Sequence, residues 1–371
     1  MSWKHIHGLT NSFFLKLLFL EGFENISSNS YVIKDSILTI IDPGNDYTAF
    51  IELFELGFKP SDIKRVIITH GDFDHCMGTL ELMRYPSIKM GGLEVILHEM
   101  GPATLKEIVE KEGGKVIEVK GGETLKLDDL ELKVFYTPGH TIDSICLYHE
   151  PTRTLFTGDT VLPHAIAAPN PAARGSIRDY LSSLRILMKI PVEVILPGHG
   201  MPIIGNCKEA IESTYEGIIK DLTGEVEYDK AAETLLRYGY FEDAIFCCDK
   251  GINKDPEKLN FPKLKAISLI NLGKFNEAIE ILDKILEKQK DALLLVTKGY
   301  ALMGLQKYEE SIKYFDEALS INPNIKEALI YKCLALIFLG KVEEAMKIPE
   351  FKEEYFKIFE QEIKKLKSMR K

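Results

Sequence analysis

His70, Asp72, Asp74 and His75 fall within six positions in the stretch Thr69-His70-Gly71-Asp72-Phe73-Asp74-His75. Imidazole nitrogens and carboxylate oxygens crowded this closely form the donor set of a divalent metal site. Taken alone, the stretch also reads as a polar surface loop. Three further donors favour the metal: His140 in Thr-Pro-Gly-His-Thr, Asp159 in Phe-Thr-Gly-Asp-Thr and His199 in Leu-Pro-Gly-His-Gly. Each follows an apolar run and a glycine, the residue that lets a backbone turn sharply or approach closely.

Such donors need a rigid frame. The apolar run 66–68 is a strand leading into the first cluster, and residues 76–84 read as a helix with Leu80 and Met83 on one face. Residues 13–20 are apolar, contain Lys16, are too short to span a bilayer and are expected to be the first strand. Residues 31–33 and 37–41 are strands joined at Lys34-Asp35, and Asp42-Pro43-Gly44 is a turn. A helix is expected over 46–57, with Phe50, Leu53 and Phe54 on one side. A short strand near 94–97 and a helix over 102–112 follow. His98, after that strand, reads as a packing or surface residue rather than a ligand. Strands at 130–136, 154–156 and 192–196 deliver His140, Asp159 and His199, with a further strand at 144–148. Helices are expected over 180–189 and 207–222. Residues 161–176 form a Pro-, Ala- and Gly-rich loop of the kind that shapes substrate pockets, with His164, Asn170 and Arg174 as its polar candidates. Strands interspersed with helices make a layered α/β domain.

The ordered donors resemble the metallo-β-lactamase superfamily of metallohydrolases, and within it the glyoxalase II-like members. The family pattern His-x-His-x-Asp-His, then His, then a bridging Asp, then a last His, maps onto His70, Asp72, Asp74, His75, His140, Asp159 and His199. The resemblance covers about the first 205 residues. It implies an αββα sandwich with ligands on loops along one edge, and two divalent ions. His70, Asp72 and His140 would hold one, Asp74, His75 and His199 the other, with Asp159 bridging. A metal-activated water would attack an ester, thioester or related bond of a small-molecule substrate, with Asp74 orienting the nucleophile and carrying a proton. It also implies that Asp42 supports the metal loop; on the residues alone a plain turn explains Asp42 equally. Asp72 departs from the pattern, standing where the family has its second His. A harder ligand there shifts preference from zinc, the default, towards iron or manganese. Cys76 matches no family ligand and reads as packing.

From about residue 226 the composition turns helical. Four segments align on Ala244, Ala278, Ser311 and Ala345, at spacings of 34, 33 and 34. This period resembles tetratricopeptide repeats. The small anchors let paired helices approach, while Phe241, Phe275 and Tyr308 fill the space between them. The fold class is therefore α/β at 1–224, a metallo-β-lactamase-like sandwich, followed at 225–371 by an all-α repeat solenoid. Solenoids present a concave face, so the repeats are expected to dock a protein partner or a second copy, a rigid cap being the alternative. Residues 352–371 are expected to form a charged capping helix.

Among the 371 residues, 45% are hydrophobic and 27% charged, which excludes a disordered chain. The net charge of −10 argues against a nucleic-acid partner. Six scattered cysteines without a framework lead us to expect reduced thiols in a cytoplasmic protein, and no apolar stretch is long enough to expect a transmembrane helix. Four other functions compete with hydrolysis. A flavodiiron-like diiron oxidoreductase would suit the carboxylate at Asp72, but no flavodoxin-like half follows. A persulfide dioxygenase would need the second His. A scaffold with a vestigial site fits poorly with a complete ligand set. A nuclease is disfavoured by the acidic balance.

Overall fold

The structure, a computed structural model, describes residues 2–23 and 26–348. It divides into two compact units, Met1–Leu222 and the chain from Thr223 onward.

The first unit holds two six-stranded sheets. In the first, β1 (Leu17–Leu20), β2 (Ser30–Lys34), β3 (Leu38–Ile41), β4 (Ile63–Ile67), β5 (Glu94–His98) and β6 (Lys115–Val119) lie in chain order. The first three pair antiparallel and β3 to β6 pair parallel. In the second, β7 (Thr124–Leu127), β8 (Leu130–Tyr136), β9 (Ile145–His149), β10 (Thr154–Gly158), β11 (Val194–Pro197) and β12 (Ile203–Ile204) again lie in order, with only β10 and β11 parallel.

Side-chain alternation explains the layering. Ile33, Ile41, Ile67 and Ile96 point inward and meet Leu132, Val134, Leu147 and Phe156 of the second sheet in one core. Their neighbours Val32, Ile40, Val66 and Val95 point outward, where Phe50, Leu53, Leu82, Leu105 and Val109 from the flanking helices cover them. Strands apolar on both faces must be buried on both. Beside the second sheet, helices Ile177–Leu187 and Cys207–Thr223 bury Leu181, Leu184, Ile211 and Ile218. The result is the four-layered α/β/β/α sandwich expected from the sequence.

Two local expectations fail. Residues 13–20 are not one strand: Ser12–Lys16 is a helix and the strand begins at Leu17. The Asn11 side chain accepts from Phe14 N–H and caps that turn. The expected helix at 76–84 starts earlier, at Phe73, and breaks at Met77 into Phe73–Cys76 and Gly78–Leu82. Gly78 N–H donates to Gly44 O at 2.7 Å, and a Cβ there would lie 2.3 Å from Pro43 O. The chain bends where it must touch the Asp42-Pro43-Gly44 turn.

The second unit is a series of helix pairs: Tyr228–Tyr238 with Phe241–Lys254, Asn260–Asn271 with Phe275–Lys288, Ala292–Gly304 with Tyr308–Ile321, and Lys326–Phe338 with Val342–Ala345. Ala244, Ala278, Ser311 and Ala345 are all fully buried, the reason the period requires small residues there. Phe241 is half-buried, the Phe275 ring packs on Gly304, and Tyr308 stacks on Phe338 at 5.1 Å. The expected capping helix at 352–371 lies outside the described residues. Among the described residues, no helix is long and apolar enough to cross a membrane.

Candidate metal centre

The donors sit where strands end. His70 follows β4, His140 follows β8, Asp159 follows β10 and His199 follows β11, all on one edge of the sandwich. Two of the preceding glycines have clear physical causes. Gly158 has a left-handed backbone (φ 47°), and a Cβ there would lie 2.4 Å from Thr69 Oγ1. A Cβ on Gly198 would lie 2.3 Å from Asp159 Oδ1 and 2.6 Å from His75 Cε1. Any larger residue would fill the centre itself.

The structure brings all seven sequence-predicted donors together. His70, His140 and Asp159 form one group and Asp74, His75 and His199 another, the donor atoms of each lying within 4.8 Å of one another. Asp159 stands between them. Its Oδ1 is 3.3 Å from His75 Nε2 and 3.6 Å from His199 Nε2, while its Oδ2 is 3.8 Å from His140 Nε2. Asp72 adjoins the first group, with Oδ2 3.1 Å from His140 Nε2 and 3.8 Å from His70 Nε2. Asp74 Oδ2 is 3.0 Å from His199 Nε2.

The imidazoles are oriented from behind. His75 Nδ1–H donates to Asp42 Oδ2 at 3.0 Å, and His140 Nδ1–H donates to Ala168 O at 2.7 Å. His70 Nδ1 lies 3.2 Å from the Thr69 hydroxyl, which donates to Asp42 Oδ2 at 2.7 Å. With Nδ1 engaged, the Nε2 lone pairs face inward, as in carboxylate–histidine–metal arrangements. His70 Nε2, His75 Nε2 and Asp159 Oδ1 are buried and make no hydrogen bond within the protein. Buried polar atoms are normally satisfied, and orphans in both donor groups suit divalent cations with mixed imidazole and carboxylate ligands.

The electrostatics agree. Burial lowers the His70 imidazole to about 4, aided by the neighbouring His75. Burial also opposes charge on His75, but Asp159 and Asp42 outweigh it and raise that imidazole well above its ordinary value. The Asp159 carboxyl, though buried, is held far below the usual carboxylate range by His75, His70 and His199. Burial opposes ionisation of Asp72 and Asp74, yet the neighbouring imidazoles of His140 and His199 lower both. The pocket therefore holds ionised carboxylates without a Lys or Arg among the donors.

The other sequence candidates fall into place. Asp42 is buried and accepts from Thr69 N–H and from two side chains that reach the donors. Asn170 reaches Asp72, its Nδ2 donating to Oδ1 at 3.1 Å and Oδ2 at 3.3 Å. His164 lines a cavity of about 480 Å³ beside Asp74 and His199, and Arg174 lines one of about 270 Å³ beside Asp72. His98 lies outside both groups, stacked on Tyr136 at 4.2 Å. Cys76 is also outside them; its buried thiol, pushed up to about 12 by burial and then by Asp42, lies 3.5 Å from Gly71 O.

Sequence reasoning missed Asn29, Tyr31 and Tyr180. Asn29 Nδ2 donates to Pro197 O at 2.9 Å and Gly200 O at 2.7 Å, and Tyr31 OH donates to Pro197 O at 2.7 Å. Together they fix the His199 loop. Tyr180 OH donates to the carbonyls of Asp159 and Thr160 at 3.0 Å. The available signal was the run Ser27-Ser28-Asn29-Ser30, four polar residues leading into an apolar strand; all four are buried.

This fold, with imidazoles and carboxylates gathered on one sandwich edge, defines a metal-binding protein of the αββα class. Residues 25–199 match the metallo-beta-lactamase superfamily. A probable metallo-hydrolase of Methanocaldococcus jannaschii is 32% identical over 206 residues, spanning 50% of this chain and 92% of its own length. The chain belongs to the metallo-beta-lactamase superfamily. Thioesterase pkgB of Emericella nidulans is 29% identical over 186 residues, 48% of this chain and 47% of its own. The chain spans about half the length of the curated thioesterases it matches. A metallo-beta-lactamase family protein from Thermus thermophilus is similar in structure, with a TM-score of 0.46 at 21% identity over 57% of this chain and 84% of that one. Residues 237–318 are similar to the anaphase-promoting complex, cyclosome, subunit 3 family.

Proposed function

We propose that the chain is a dinuclear metallohydrolase acting on a small-molecule thioester or related ester. The carrying observation is Asp159 between the two donor groups, with each oxygen turned towards a different one. In this reading His70, Asp72 and His140 would hold one ion and Asp74, His75 and His199 the other, with Asp159 available to both. Zinc is the default, with iron and manganese as competitors because Asp72 is a hard ligand. When bound, two divalent ions supply a hydroxide nucleophile near neutral pH and a Lewis acid for the carbonyl oxygen.

The protein's own groups position and move protons. Asp42 and Ala168 O hold His75 and His140 through Nδ1, keeping Nε2 on the metal side. Asn170 donates to both oxygens of Asp72, fixing its rotamer. Asp74, ionised and half-buried, would orient the nucleophile and carry a proton. The thioester preference is borrowed from the relatives named as thioesterases. Residues 1–224 form the hydrolase domain in this reading. Residues 225–371 form a repeat domain for a protein partner or self-association.

Asp72 favours one alternative, a diiron oxidoreductase using the same donors. Metal analysis of the protein as purified, paired with a thioester panel on wild type and His140→Ala, separates the two. Zinc with thioester hydrolysis lost in His140→Ala supports the hydrolase. Iron with oxygen consumption and no hydrolysis refutes it.

A further inference from the structure

The loop that carries Asn170 also carries Arg174, whose side chain the metal reading does not use. This loop is rigid. Asn170 N–H donates to His140 O at 2.7 Å, Ile142 N–H to Ala173 O at 2.9 Å, Gly175 N–H to Asn170 O at 2.7 Å, and Ser176 N–H to Gly139 O at 2.8 Å. Its 3₁₀ turn, Pro171–Ala173, ends at Arg174 in the left-handed region, φ 55° and ψ 36°. A non-glycine side chain is strained there, and such strain concentrates at functional sites.

The guanidinium is exposed and makes no hydrogen bond or ion pair among the described residues. It lines the cavity of about 270 Å³ that also contains Asp72, Met100 and Asp143. Among the described residues, no other Lys or Arg lines that cavity or the one beside His199. The carboxylates facing it are already engaged. Asp72 accepts from Asn170, and Asp143 sits buried against the Gly71 and Thr141 segments. Neither is paired with Arg174.

We infer that Arg174 is a specificity-determining residue that binds an oxyanion, a carboxylate or a phosphate, on the substrate of this centre. The inference rests on the thioester reading and adds that the substrate is anionic. A guanidinium suits either group because its planar fork matches both. The anion belongs to the acyl half or the thiol half of the substrate, and one set of probes tells which.

The test uses the full chain with its metal and three non-hydrolysable thioethers: neutral S-butylpantetheine, S-butylphosphopantetheine and S-carboxypropylpantetheine. Binding is measured by calorimetry on wild type, Arg174→Gly and Arg174→Lys. The glycine variant relieves the left-handed strain, so loss of folding does not confuse its result. One anionic probe should bind wild type roughly 10- to 100-fold tighter than the neutral probe, the range of a charge-assisted contact. Arg174→Gly should erase that preference, Arg174→Lys should keep part of it, and neutral binding should not change. The phosphate probe being preferred places the anion on the thiol half, and the carboxylate probe on the acyl half. Wild type binding all three alike or none, or Arg174→Gly keeping the preference, overturns the inference. Turnover of the matching thioesters is read separately: anion preference without any hydrolysis removes the hydrolase reading and leaves Arg174 as the anion contact.

Discussion

Asp42 is the point at which the rigidity of the metal centre is most open to test. Its Oδ1 accepts from Thr69 N–H at 2.8 Å, and its Oδ2 accepts from the Thr69 hydroxyl at 2.7 Å and His75 Nδ1–H at 3.0 Å. Asp42→Asn keeps the size, and asparagine tolerates the left-handed φ of 50°. It replaces one acceptor oxygen with a donor. In either amide orientation an NH₂ faces a donor, so one or two charge-assisted hydrogen bonds of about 1.5–3 kcal/mol each are lost. His75 is then free to rotate or change tautomer. Loss of such a partner costs about 10- to 100-fold in metal affinity, or about 1.4–2.7 kcal/mol. Stepwise competition with a chromophoric chelator reads the two ions separately. The expected result is weakening of the ion held by His75, with Asn170→Ala weakening instead the ion held by Asp72. Metal-free unfolding curves on both variants separate loss of folding from loss of binding. Asp42→Asn releasing both ions as wild type does would refute the reasoning.

Three further outcomes follow from the geometry. Gly198→Ala should abolish binding of at least one ion, because its Cβ would lie 2.3 Å from Asp159 Oδ1; full metal content in that variant would show that the loop has room the structure denies. The metal-free protein should show two opposed pH effects. Stability from the raised His75 is complete below its ordinary value of 6.5 and is lost as pH rises through the raised value; stability from the depressed Asp72 and Asp74 is present above 3.8 and is lost as pH falls through their lowered values. The cluster thus contributes most between those limits, whereas metal affinity should climb with pH through the raised His75 and His140 values, since a ligating imidazole must be unprotonated. Urea unfolding and chelator competition across roughly pH 4 to 9 check both, and an affinity that stays flat below neutral pH would contradict the second. In the repeats, Gly299→Ala places a Cβ 2.5 Å from Phe315 Cε1 and should cost about 1–3 kcal/mol in an unfolding titration.

Much of the first unit was legible because its strands carry one of two plain patterns. The run 66–68 is apolar on both faces, 130–136 alternates buried apolar residues with the exposed Glu131 and Lys133, and the donors follow such strands. The repeat period was legible for a related reason: a helix pair tolerates only a small residue at its closest approach, so Ala244, Ala278, Ser311 and Ala345 recur in step. What local pattern could not show was the helix at Ser12–Lys16, where Phe13 and Phe14 are both buried and no alternation distinguishes a strand from a helix. Nor could it show the break at Met77, set by contact with a turn more than thirty residues earlier in the chain.

The same division holds at the metal centre. The amino-acid sequence by itself named the candidate donors, their order along the chain, and the carboxylate at Asp72, because those depend on residue type and spacing. Only the tertiary structure decided which way each imidazole faces, and that Asn29, Tyr31 and Tyr180 hold the loops. Those depend on hydrogen bonds between residues as far apart as Asn29 and Gly200, and such bonds exist only once two sheets have packed against each other.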